Sequence, residues 1–151
     1  MKLFQIEEPD GSPLDAASGP GAAVGIEIAP GGLGRVAIAL GGNGEILPDA
    51  SGERTLRARD KSDLLLGLRS RAEKQLGRPV THAVIAADPA ERLGLDDAAS
   101  AASLSVLRVM DRTEAAAKVR GVAAEDAAAL GAAVAAEDAM PVPPEMGMGQ
   151  E

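Results

Sequence analysis

Cysteine, tryptophan and tyrosine are absent from this 151-residue chain, which holds one phenylalanine and one histidine. Without cysteine there is no disulfide framework, thiolate metal site, cysteine nucleophile or thiol redox chemistry. The lone imidazole, His82, excludes multi-histidine zinc sites, and any Ser-His-Asp triad would have to use it. Metal-dependent hydrolysis could rest only on carboxylates. The near absence of aromatic rings, with a formal net charge of -8 and a pI of about 4.7, argues against nucleic acid. Such recognition needs Lys and Arg to neutralise phosphates and rings on which bases stack. No apolar run approaches the roughly 20 residues of a membrane span, and the start MKLFQIEEPD carries acids where a signal peptide needs an apolar core. A cytoplasmic protein that binds neither nucleic acid nor membrane is expected.

What the chain does have is small aliphatic residues. Alanine alone accounts for 31 positions, while Leu, Ile, Val and Phe together number 33, just above the composition typical of disorder. One domain with an aliphatic core and modest stability is expected, and a chain of this length can bury about two thirds of its unfolded surface.

Residues 1–21 have turn and linker composition, with Pro9, Gly11, Pro13 and the Ser18-Gly19-Pro20-Gly21 cluster, and predict an irregular arm. A single domain is expected over 22–139. Val24, Ile26 and Ile28 alternate, as do Val36, Ile38 and Leu40 beyond Pro30-Gly31-Gly32, which predicts a β-hairpin. Gly41-Gly42-Asn43-Gly44 offers a second tight turn, and Glu45-Ile46-Leu47 begins a short third strand. Residues 49–59 read as a polar loop. Leu64, Leu65, Leu68, Ala72 and Leu76 then form the stripe of an amphipathic helix, capped by Asp60 or Ser62 and stopped at Gly77.

VTHAVIAA, from Val80, reads as a strand covered on both faces. Asp88-Pro89-Ala90-Glu91 starts a helix that breaks near Gly94. Leu104–Met110 reads as a strand, Thr113–Val119 as a short helix, and Ala124–Asp138 as an alanine-rich helix burying Leu130 and Val134. The proline- and glycine-rich stretch 140–151 predicts a disordered tail. The order is a three-strand meander followed by alternating helices and strands. It predicts an α/β fold with a mixed sheet of the ribonuclease H-like kind shared with actin-like ATPase subdomains.

Several segments resemble the DnaK and HscA class of heat-shock chaperones. The opening MKLFQIEEPDGSP is similar to the start of the HscA branch, which serves iron–sulfur cluster assembly. Val24-Gly25-Ile26-Glu27-Ile28 stands where that family has its first strand, and the segment from Glu45 to Thr55 resembles the family's IPN-x-EG-x-R-x-TPS stretch. The segment Pro79–Ile85 resembles PV-xx-AVITVPA, Leu104–Met110 resembles LNVLRIINEPTAAA, and Ala124–Ala133 is similar to the helix that closes the family's nucleotide-binding domain. The resemblance runs in the family's order and implies one truncated, degenerate subdomain of an actin-like ATPase.

The departures bear on function. Ala29-Pro30-Gly31-Gly32 stands in place of the phosphate-binding threonines, and Glu27 in place of the first-strand aspartate. The segment with the family's catalytic lysine has no counterpart between Thr55 and Asp60, and the NEPTA glutamate and proline fall on Arg112 and Thr113. The second phosphate loop, the adenosine motif and the substrate-binding domain have no counterpart.

Catalysis of phosphoryl transfer is mainly positioning and charge neutralisation, so these losses predict a protein that is not an enzyme. Glu27, Gly31, Gly32 and Gly34 mark a vestigial phosphate-loop position, but a glycine loop between two strands opens no helix and reads first as a hairpin turn. Asp96-Asp97, Glu125-Asp126 and Glu137-Asp138 are adjacent pairs that point apart on a helix and read as solvated or capping groups. His82 reads as a surface or capped imidazole.

Charge is segregated: residues 53–78 hold eight of the fifteen basic groups against four acids, a local +4 on a remainder of -12. Arg57, Arg59, Lys61, Arg69, Arg71 and Lys74 are therefore the candidate contacts for an acidic protein partner, against the alternative of a solvated helix face. The expected function is a non-catalytic, chaperone-like interaction module or adaptor in protein folding or iron–sulfur cluster assembly. No metal or cofactor is expected. The alternatives are a residual nucleotide or phosphate binder, with ATP as ligand and no or weak ATPase activity, and a folded chain with no retained biochemical role.

Overall fold

The computed structural model describes residues 21–140. The arm expected over 1–21 and the tail expected over 140–151 lie, apart from Gly21 and Met140, outside the described residues. Strands β1 (Ala22–Ala29) and β2 (Leu33–Leu40) form the expected antiparallel hairpin, with Ala29 opposite Leu33 and Glu27 opposite Arg35. Its loop turns on Gly31 and Gly32, both at positive φ. Strand β3 (Asn43–Ile46) pairs back on β2 from Leu40↔Asn43. It starts two residues before the expected Glu45, because Gly41 and Gly42 alone supply the turn's positive φ values.

A two-residue strand, β4 (Leu56–Arg57), lies inside the stretch read as loop and pairs with Leu33 and Gly34 of β2. Two residues are too few to leave a period in the sequence.

Helix α1 (Lys61–Leu76) is capped at its start by Asp60, whose carboxylate accepts from the Asp63 amide at 2.9 Å. It stops at Gly77, in the left-handed region. Strand β5 (Val80–Ala87) runs parallel between β1 and β6 (Ser105–Met110), which explains its nearly continuous apolar sequence. Between them, a 3₁₀ turn (Pro89–Glu91) and helix α2 (Leu95–Ala101) replace one broken helix, divided at Gly94 with its φ of 72°. Helices α3 (Arg112–Ala116) and α4 (Ala124–Ala139) complete the described chain.

The sheet order is β3-β2-β1-β5-β6 with β4 beside β2, a mixed sheet of the expected actin-like ATPase subdomain type. Helices α1 and α2 cover the face of Val24, Ile26 and Ile28, burying Leu64, Leu65, Leu68 and Leu95 against it. Helices α3 and α4 cover the other face. There Leu130 is buried as expected, but Val134 is half-exposed, and the buried side of α4 is otherwise mostly alanine. The helix lies so close to the sheet that a Cβ on Gly25 would sit 2.5 Å from the Ala133 Cα. Small residues on both sides are what permit this approach, which gives the abundant alanine a structural use. Among the described residues no helix is long and apolar enough to cross a membrane.

Candidate functional site

Alternation along β1 puts Ile26 and Ile28 towards α1 and α2, and Gly25 and Glu27 towards α3 and α4. Glu27 is thus carried to the carboxyl end of the strand in a nearly closed position, 4% exposed. A buried carboxylate must be paired to remain charged. Its Oε1 accepts from Arg35 at 3.0 Å, across the hairpin, and its Oε2 accepts from Arg112 at 3.3 Å, from the start of α3.

Arg112 is held from the other side by Asp88, which follows β5. The Arg112 Nε donates to Asp88 Oδ2 and its backbone N–H donates to Asp88 Oδ1, each at 3.1 Å. Arg92 extends the array, donating to the Ala87 carbonyl at 2.9 Å and pairing with Asp111 at 2.6 Å. Three arginines thus meet three carboxylates at the ends of β1, β5 and β6. Burial works against the Arg112 guanidinium, but the hydrogen bonds and charges of Asp88 and Glu27 outweigh it and raise its pKa. The Arg112 backbone and side-chain hydrogen bonds, in that order, lower that of Asp88.

This neutral array leaves little for a ligand to take. Both oxygens of Glu27 are occupied, and the arginines that would receive phosphate are bound to carboxylates. Among the described residues no group of three or more His, Asp or Glu side chains is placed to hold a metal ion.

The glycines of the vestigial phosphate-loop position do not join Glu27 in one pocket. Gly31 and Gly32 make the hairpin turn, and Gly32 accepts from the Ala58 amide at 2.9 Å as β2 meets β4. Gly34 stands opposite Ile28, where a Cβ would press 2.9 Å from Leu68 Cδ1. Gly32 lines a groove of about 630 Å³ on the α1 and α2 side of the sheet, the opposite side from the Glu27 carboxylate.

The six basic candidates also separate. Arg69 donates to the Ala102 carbonyl at 2.6 Å and pairs with Glu73, tying α1 to the end of α2. Arg71 is 9% exposed and donates to the Glu53 carbonyl at 3.3 Å. These two are structural ties rather than exposed contacts, a correction to the expected patch. Charge segregation along the sequence does not distinguish the inner side of α1 from the outer. Arg57, Arg59 and Lys61 stay together near the hairpin, around the groove and an adjoining hollow, while Lys74 lies by Asp49 and Gln75.

Of the acidic pairs, Asp126 departs from the solvated role expected for it. It is 7% exposed and ion-paired to Arg54, which pins the loop after β3 to α4. Glu137 caps no helix; it accepts from the Gly41 and Gly42 amides of the β2–β3 turn at 2.6 and 3.0 Å. His82 is half-buried, with its Nδ1 2.7 Å from the Thr81 hydroxyl.

Arg35, Asp88, Arg92 and Asp111 are site residues beyond those expected from the sequence. Only Arg35 had a signal there, since the hairpin register puts it opposite Glu27.

Acid should weaken the fold as a whole, with Asp88 as the site's share. Hydrogen bonds lower the Asp49 carboxyl, chiefly from Ser51, the Asp60 carboxyl, chiefly from the Asp63 amide, and the Asp88 carboxyl, chiefly from the Arg112 amide. A depressed folded-state pKa contributes stability above the unfolded value, and that stability is lost as pH falls through the folded one. The urea midpoint should therefore fall below about pH 4, and Asp88→Asn should shallow that fall. A midpoint level from pH 7 to pH 2 would contradict the assignment.

A family model described as Hsp70 protein matches residues 34–136. No curated protein matches the chain.

Proposed function

Because the chain belongs to the Hsp70 protein family, we propose that it is a non-catalytic member, a protein-interaction module whose ATPase-type subdomain has given up nucleotide chemistry. The observation that carries this reading is the Glu27–Arg112 pair. By the resemblance, Glu27 holds the place of the first-strand aspartate, and Arg112 that of a glutamate. Instead of carboxylates open to a hydrated cation and phosphate, a tethered guanidinium lies against Glu27. An internal cation of this kind satisfies the buried carboxylate without any ligand.

The module acts in this reading as an adaptor in a cytoplasmic protein-folding or iron–sulfur assembly setting, where it carries no cluster because it has no cysteine. The alternative, a residual phosphate binder, draws on the groove where Gly32, Arg59 and Lys61 meet.

One titration decides between them. Magnesium and ATP added to the ¹⁵N-labelled protein should leave its amide spectrum unchanged. Saturable shifts confined to residues 25–34 and 59–62 would overturn the proposal in favour of the alternative.

A further inference from the structure

The groove of about 630 Å³ lies between the start of α1 and the segment running from the 3₁₀ turn into α2. Its floor is apolar, with Ala98 at 7% exposure above the core residues Ile28 and Leu64, each at 1%. One wall carries Arg59 and Lys61. The other carries Glu91 and Asp97. Asp60 stands among the basic residues but is committed to capping α1, accepting from the Asp63 amide and the Ser62 hydroxyl.

Arg35, Arg54, Arg69, Arg71, Arg92, Arg108 and Arg112 all have ion-pair partners within the chain. The four charged groups of the groove walls, like Lys74, Lys118 and Arg120 elsewhere on the surface, make no ion pair and no side-chain hydrogen bond among the described residues: Arg59, Lys61, Glu91 and Asp97 stand without an internal partner. On the acidic wall stands Leu93, 86% exposed, the most exposed large apolar side chain among the described residues.

We infer that this groove is a self-association surface whose occupant is a second copy of the chain. A cleft with one basic wall, one acidic wall, an apolar floor and an apolar knob on its rim is complementary to itself under a two-fold axis. The axis sets each basic wall against the partner's acidic wall and each knob over the partner's floor. An acidic partner would answer only the Arg59 and Lys61 wall and would be opposed by Glu91 and Asp97; a basic partner would meet the reverse problem. A second copy matches both walls. The net charge of -8 opposes the approach of two copies at long range, but at physiological ionic strength that repulsion is screened beyond about 8 Å. The inference is separate from the proposed loss of nucleotide chemistry, since association is read by mass and nucleotide binding by titration.

Sedimentation equilibrium of the full chain at about 0.15 M salt tests the inference. The wild type should show a reversible monomer–dimer equilibrium. Leu93→Glu, at an exposed position that folding does not need, should weaken it by about tenfold or more. Lys61→Glu and Asp97→Lys should each weaken it as well, by putting like charges across both symmetric contacts. An equimolar mixture of these two variants restores opposite charges at both contacts and should recover dimer. Circular dichroism of each variant separates loss of association from loss of fold. A wild type that stays monomeric at every concentration, a dimer indifferent to all three substitutions, or a charge-swapped mixture that fails to recover would each overturn the inference.

Discussion

Gly131→Ala should destabilise the protein by about 3 kcal/mol or more, although alanine is the better helix former by about 1 kcal/mol. Gly131 lies within α4 where α3 crosses it, and a Cβ there would fall 2.5 Å from the Ala115 carbonyl carbon and closer still to its oxygen. The obstacle is backbone, so no rotamer relieves it, and the helices would have to move apart. Separation would also open the alanine layer against the sheet, where Ala128, Ala132 and Ala136 pack on Val84 and Ala86.

The contrasting position is Gly67 in α1, where a Cβ would meet only the flexible end of Leu56, 2.6 Å from Cδ2. Gly67→Ala should lie within about 1 kcal/mol of the wild type, because helix propensity offsets a small side-chain shift. Urea denaturation of the two variants gives the comparison directly. Equal midpoints would mean that α3 and α4 are not held at the close distance described.

Arg112→Met should cost about 2–3 kcal/mol. The substitution keeps much of the side chain's volume but removes one of the two cations that hold the Glu27 carboxylate in its buried position. Arg35 remains, which keeps the cost below that of a wholly unpaired buried charge. Adding Glu27→Gln should return part of the loss, since a neutral amide has less need of the missing partner. The single and double variants, measured by urea denaturation, form a coupling test. Purely additive losses would show that Arg112 acts on stability through Asp88 alone, and the internal-cation reading of the strand ends would fall with that result.

Much of the fold was legible in short stretches of sequence. Val24, Ile26 and Ile28 announce a strand, Asp60 and Gly77 bracket α1, and Gly94 marks the break before α2. Each feature depends on neighbours a few residues away, so local periodicity and backbone preference suffice to read it. The two-residue β4 lies below that signal, and Val134, bulky enough to be expected on the buried face of α4, is half-exposed. Close packing there favours alanine instead.

The candidate site was less legible. Glu27 and the glycines could be picked out by type and position, but a residue's partner is a property of the fold. Glu27 and Arg112 are 85 positions apart and meet because β1 and β5 are parallel neighbours whose carboxyl ends face the start of α3. The same holds for Arg69 and Arg71, basic residues on a helix by sequence but internal ties in space, and for Asp126, buried by a loop anchored through Arg54.

By itself, then, the sequence determined the elements, their order, the turn glycines and the chemistry excluded by missing cysteine and aromatic rings. Only the tertiary structure decided which charges neutralise one another and which are left to face outward. That choice rests on burial and on approach across distant segments, and a linear pattern of charge carries neither.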